Sequence, residues 1–190
     1  MTKAENPRPR EVRVFPVVEQ AVTATLRTIE GNPQGVLLIG LESLNKNHRP
    51  LLTSVRMMAE VLQELGTIDN DKEMYRGASF TYTILTNHAE REGGALPVVT
   101  NSIEAARESL AETVKTFHER SDEPFLYETV WRKLQKDPEY QALARGVLEM
   151  VKYQTNKEDF LLGAYLTIAP FREKQRAETM ERMFDDGEGK

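Results

Sequence analysis

The sequence predicts an all-α protein, a single-domain, bundle-like assembly of about seven to nine helices, mostly antiparallel. Three observations carry that expectation. Apolar residues recur at three- and four-residue intervals through most of the chain, with charged residues on the opposite arcs. Proline, asparagine or aspartate opens these stripes and glycine closes several of them. The stretch that alternates most like a strand, Phe80 to Leu85, lies in a segment whose charges sort only at helical spacing.

The elements follow in order. Residues 1–13 are Pro-rich and charged and read as a flexible arm, with "EVRVF" as a possible extended segment. Pro16 opens a helix to about Glu30, and Gly31 ends it. Asn32–Pro33 is an N-cap followed by a first-turn proline. The next run, "QGVLLIGLESLN", is apolar all round, and periodicity leaves residues 36–41 open between a buried helix and a buried strand. From Pro50 to Leu65 the stripe Leu51, Val55, Met58, Ala59, Leu62 and Leu65 opposes Arg56, Glu60 and Glu64, and Gly66 stops the helix.

The segment from Asp71 to Glu92 has the strand-like centre. At helical spacing, Glu73, Arg76, Thr83, Asn87, Glu90 and Arg91 share one arc, while Met74, Ala78, Phe80, Ile84 and His88 lie on the other. A strand leaves that segregation to chance, so the segment reads as a helix ended by Gly93–Gly94. "ALPVVT" is an extended linker. Asn101, with Glu104 three residues on, has capping-box spacing and starts a helix to Glu119. Helices from Pro124 to Lys136 and from Asp137–Pro138 to Val151 follow. Asn156 caps an apolar helix through "FLLGAYLTIA", and Pro170 leads into a last helix to about Phe184. Residues 14–184 thus form one helical domain, and 185–190 a disordered acidic tail. The alternative is an α+β fold with a small sheet from segments 12–15, 36–41, 79–86 and 96–100.

Composition narrows the function classes. With 39% hydrophobic and 29% charged residues, the 190-residue chain fits a globular class with enough length for a substantial core. No apolar run approaches the roughly 20 residues that cross a bilayer, and the N-terminus lacks the apolar core of a secretory signal. A cytoplasmic location is the expectation. Cysteine is absent, which removes disulfides, thiolate nucleophiles and cysteine-ligated metals. A formal charge of −5 weighs against sequence-independent binding of nucleic acid.

Motifs for chemistry are few. The glycines at 31, 35 and 40 precede no Gly-Lys-Ser/Thr, and "RGASF" is not a nucleophile elbow. The residues three before His88 and His118 are Leu85 and Lys115, so the Glu-x-x-His spacing of bundle metal sites does not occur. His48 reads as an exposed turn residue. No metal, cofactor or catalytic residue is expected.

Three candidate surfaces remain. The first is a partner surface of Phe160, Leu162 and Leu166 with Met180, Met183 and Phe184, since an all-round apolar helix and a methionine-rich stripe suit docking. It implies a non-catalytic interaction or regulatory module that binds a protein partner or self-associates. The second is a ligand pocket along one polar edge, Tyr75, Ser79, Tyr82, Thr86 and His88, which implies a small-molecule-binding protein or small enzyme. The third is a basic face of Arg132, Lys133 and Lys136, a weaker nucleic-acid reading because Glu139 and Glu149 sit on the adjoining helix. The carboxylates Glu104, Glu108 and Glu112, spaced four apart, read as a solvated face.

Overall fold

The computed structural model describes residues 19–68, 71–92, 102–120, 125–169 and 172, and these are helices joined by turns, with no strand among them. The chain is all-α. Seven helices run α1 Glu19–Gly31, α2 Pro33–Asn47, α3 Arg49–Glu64, α4 Asp71–Glu92, α5 Ile103–Glu119, α6 Leu126–Leu134 and α7 Gln141–Met150. A 3₁₀ turn Val151–Tyr153 follows, then α8 over residues 157–169. Segments 36–41 and 79–86 of the alternative sheet are therefore helical. Segments 12–15 and 96–100, the arm, the acidic tail and Met180, Met183 and Phe184 lie outside the described residues.

Local chemistry explains where the helices begin. Asn32 Oδ1 accepts from the Gly35 N–H at 2.9 Å, and Pro33 fills the first turn, so α2 starts as a helix and settles the ambiguity of its apolar run. Asn156 Oδ1 accepts from the Asp159 N–H at 3.2 Å, while its amide donates to Asp159 Oδ2 at 2.8 Å, a reciprocal cap for α8. At α5 the cap falls one residue later than the sequence suggested. Ser102 Oγ accepts from the Ala105 N–H at 3.1 Å, and Asn101 lies outside the described residues.

Two other starts differ from expectation. Phe125 sits in the left-handed region at φ 59°, so α6 begins at Leu126. Asp137–Pro138 makes a turn instead of a first helical turn. Asp137 Oδ1 accepts from the Glu139 N–H at 3.0 Å, its carbonyl accepts from the Tyr140 N–H, and α7 starts only at Gln141.

Helix α4, at 22 residues the longest described, carries the packing. It lies against α1, α2, α3 and α7; α3 also packs on α5, and α1 on α7. Its remaining side meets α8 at a very close crossing. A methyl carbon on Gly77 would land on the Phe160 carbonyl oxygen, and one on Gly163 would land on the Met74 carbonyl oxygen. Each glycine thus admits the backbone of the other helix, the geometry that lets two helices approach without intervening side chains. Helix α6 is fastened to α8 as well, by Trp131 Nε1 donating to the Leu161 carbonyl at 2.9 Å. The core holds Trp131, Tyr82, Phe160 and Met58 among its largest fully buried side chains.

Candidate functional site

The first two turns of α4 and the facing half of α3 enclose a cleft of about 380 Å³. Asp71, Lys72, Tyr75 and Arg76 come from α4, where spacings of three and four put them on one side of the helix. Arg56, Ala59, Glu60 and Gln63 come from α3 by the same spacing, and Leu41 closes the α2 side. Ala59 is buried and Leu41 and Tyr75 half-buried, so they make an apolar base. Arg56, Glu60, Gln63, Asp71 and Lys72 are exposed and form a charged rim. Arg76 donates through Nη1 to Glu73 Oε1 at 2.7 Å, which ties one rim cation to a buried carboxylate.

The polar edge predicted on α4 is divided between this cleft and the interior. Tyr75 lines the cleft. Ser79, one turn further, and Tyr82 are buried, and neither Ser79 Oγ nor the Tyr82 hydroxyl has a hydrogen-bond partner among the described residues. Burial pushes the Tyr82 phenol well above the ordinary tyrosine range. Thr86 is satisfied locally, donating through Oγ1 to the Thr83 carbonyl at 3.2 Å. The side chains of His88 and His118 lie outside the described residues.

The other two surfaces fare differently. Phe160, Leu162 and Leu166 are buried in this chain's own core, with the Phe160 ring 6.2 Å from that of Phe80. They do not form an open surface, because the apolar circumference of α8 is taken up by its neighbours, α4 and α6 among them. Among the described residues, the large exposed apolar side chains are instead Leu38 and Ile39 on α2, 59% and 66% accessible, with Leu65, Phe125 and Tyr153 elsewhere. On the basic face, Arg132 gives both Nε and Nη2 to Glu128 Oε1, at 2.9 and 2.6 Å, while Lys133 and Lys136 are exposed. Glu104, Glu108 and Glu112 are exposed on α5.

Sequence reading missed Arg56, Glu60, Gln63 and Lys72 as cleft residues. The signal was present as two polar arcs, one on each of the consecutive helices α3 and α4. Only their packing side by side turns two solvated arcs into one concave wall. Among the described residues no cluster of three histidines, aspartates or glutamates has the arrangement of a metal site, and no helix is long and apolar enough to cross a membrane. Set against protein-family models, curated proteins and solved structures, the chain finds no match in any of the three.

Proposed function

We propose that this chain is a non-catalytic binding protein that takes a small amphipathic anion in the cleft between α2, α3 and α4. The observation that carries the reading is the composition of that cleft, an apolar base of Leu41, Ala59 and Tyr75 beneath a rim holding Arg56, Lys72 and Arg76. Its volume falls at the lower end of the roughly 300–1,000 Å³ typical of ligand sites. Arg76 is already paired with the buried Glu73, whereas Arg56 makes no ion pair among the described residues and is the rim cation on which the reading rests. A ligand with one ring or a short chain and a carboxylate head suits such a site, its body on Tyr75 and its head near Arg56.

An interaction module that binds a protein partner or self-associates, the first reading of the sequence, has less to stand on. Among the described residues its expected surface is buried, and the pair Leu38–Ile39 is far smaller than the ~1,000 Å² that a specific interface buries.

The test is a titration of ¹⁵N-labelled protein with benzoate, phenylacetate and hexanoate, followed by amide chemical shifts. The shifts are expected to gather around Ala59 and Tyr75, and Tyr75→Ala or Arg56→Glu should weaken binding about tenfold. No shift at these residues up to ~10 mM ligand, or shifts indifferent to both substitutions, would overturn the reading.

A further inference from the structure

At the opposite end of the described chain a guanidinium is held between aromatic rings. Arg172 Cζ lies 5.7 Å from the centroid of the Tyr140 ring and 5.9 Å from that of Tyr165, within the range in which a ring face attracts a cation. Its Nη1 donates to the Tyr165 hydroxyl at 3.3 Å. Tyr127 backs this arrangement, its ring 6.2 Å from that of Tyr165 and tilted by 44°. The three tyrosines come from α6, the turn before α7, and α8, so the fold assembles them from separate stretches of sequence.

The surroundings are anionic. Burial first, then the nearby Glu139 and Asp137, push the Tyr140 phenol up to about 12, and the Arg172 charge opposes them. Glu158 adds its field at Tyr127. Yet Arg172 makes no ion pair with a carboxylate among the described residues. It is held by ring faces and one hydroxyl. That environment is selective for soft, weakly hydrated cations over compact ones such as sodium.

We propose that the Tyr140–Tyr165 pair is a binding site for a soft organic cation, a guanidinium or quaternary ammonium group, and that Arg172 occupies it as an intramolecular competitor. The aromatic walls belong to the body of the fold, whereas the occupant is a flexible side chain. A change of Arg172 rotamer therefore withdraws the guanidinium from both rings. The apparent affinity for an external cation is reduced by the fraction of time Arg172 holds the site. This inference is independent of the cleft between α2, α3 and α4.

The experiment uses the full chain with tetramethylammonium chloride as probe and sodium chloride at equal ionic strength as control. Ring proton shifts of ¹³C-labelled tyrosine report binding. Arg172→Ala should bind tetramethylammonium about tenfold more tightly than the parent chain, with the shifts at Tyr140 and Tyr165. Adding Tyr165→Leu should abolish the response. Arg172→Gln, which keeps a similar stem without the charge, serves as the second variant should the alanine variant fail to fold. Equal affinity with and without Arg172, no tyrosine shift in either variant, or equal shifts with sodium would overturn the proposal.

Discussion

Residue by residue, the centre of α4 shows how a strand-like composition becomes a helix. Thr81 donates through Oγ1 to the Gly77 carbonyl at 3.0 Å, and Thr83 does the same to Ser79 at 2.8 Å. Each hydroxyl is thereby satisfied one turn back, which removes the penalty of burying it and leaves only the modest conformational cost of β-branching. The glycines of the α4–α8 crossing are less forgiving. Gly77→Ala or Gly163→Ala puts a carbon on a backbone oxygen that cannot move without shifting its helix, so each should destabilise by more than about 3 kcal/mol in urea denaturation. Gly31→Ala is the control. Nothing lies within 4 Å of its added carbon, and its effect should stay within ~1 kcal/mol. Helical periodicity made α4 legible in the sequence, but not the crossing. A mid-helix glycine reads as a weak point until the helix that lies against it is known.

At the scale of elements, α6 depends on a cap that it does not carry. Phe125 precedes it in the left-handed region and gives no side-chain cap. The free N–H groups of its first turn are instead met by Glu158 of α8. Oε2 accepts from the Tyr127 N–H at 2.8 Å and Oε1 from the Glu128 N–H at 3.2 Å. A carboxylate at a helix N-terminus also opposes the positive end of the helix dipole. Glu158→Ala should therefore cost about 1–2 kcal/mol in thermal or chemical denaturation, and Glu158→Gln, which keeps one acceptor without the charge, roughly half as much. Local caps such as Asn32 and Asn156 could be read from the sequence because donor and acceptor lie within three residues. The cap on α6 could not be, because its two halves are separated by about 30 positions. The cleft escaped notice for the same reason, being formed where the polar arcs of two helices meet.

For the molecule as a whole, buried phenols set the response to alkali. Tyr82 and Tyr127 are raised by burial, Tyr127 further by Tyr165 and Glu158, and Tyr140 reaches about 12. An acid whose pKa is higher when folded stabilises the fold fully below its unfolded value, about 10 for tyrosine. That stability is lost as pH rises towards the folded value, because the unfolded chain releases its proton first. The urea midpoint should thus fall from about pH 10 upwards, with Tyr82 alone contributing up to ~1.4 kcal/mol per pH unit. Tyr82→Phe should make the decline shallower by one proton. At pH 7 it should be neutral or stabilising by up to ~1 kcal/mol, since it removes a buried hydroxyl without a partner among the described residues. An unchanged alkaline slope in this variant would show that Tyr82 is not held neutral by the fold.

The α4–α8 crossing also has a consequence for the nascent chain. Synthesis delivers α4 long before α8, and at ~5–20 residues per second the interval between Gly77 and Gly163 is on the order of 4–17 s. Throughout that time the flank of α4 around Gly77 has no backbone to receive, while α1, α2 and α3 are already available to it. The fold is therefore completed late, by the docking of α8 into a groove prepared earlier. A ribosome-stalled chain ending before residue 157 should expose that groove to chaperones, and a synthetic peptide spanning α8 should be able to close it.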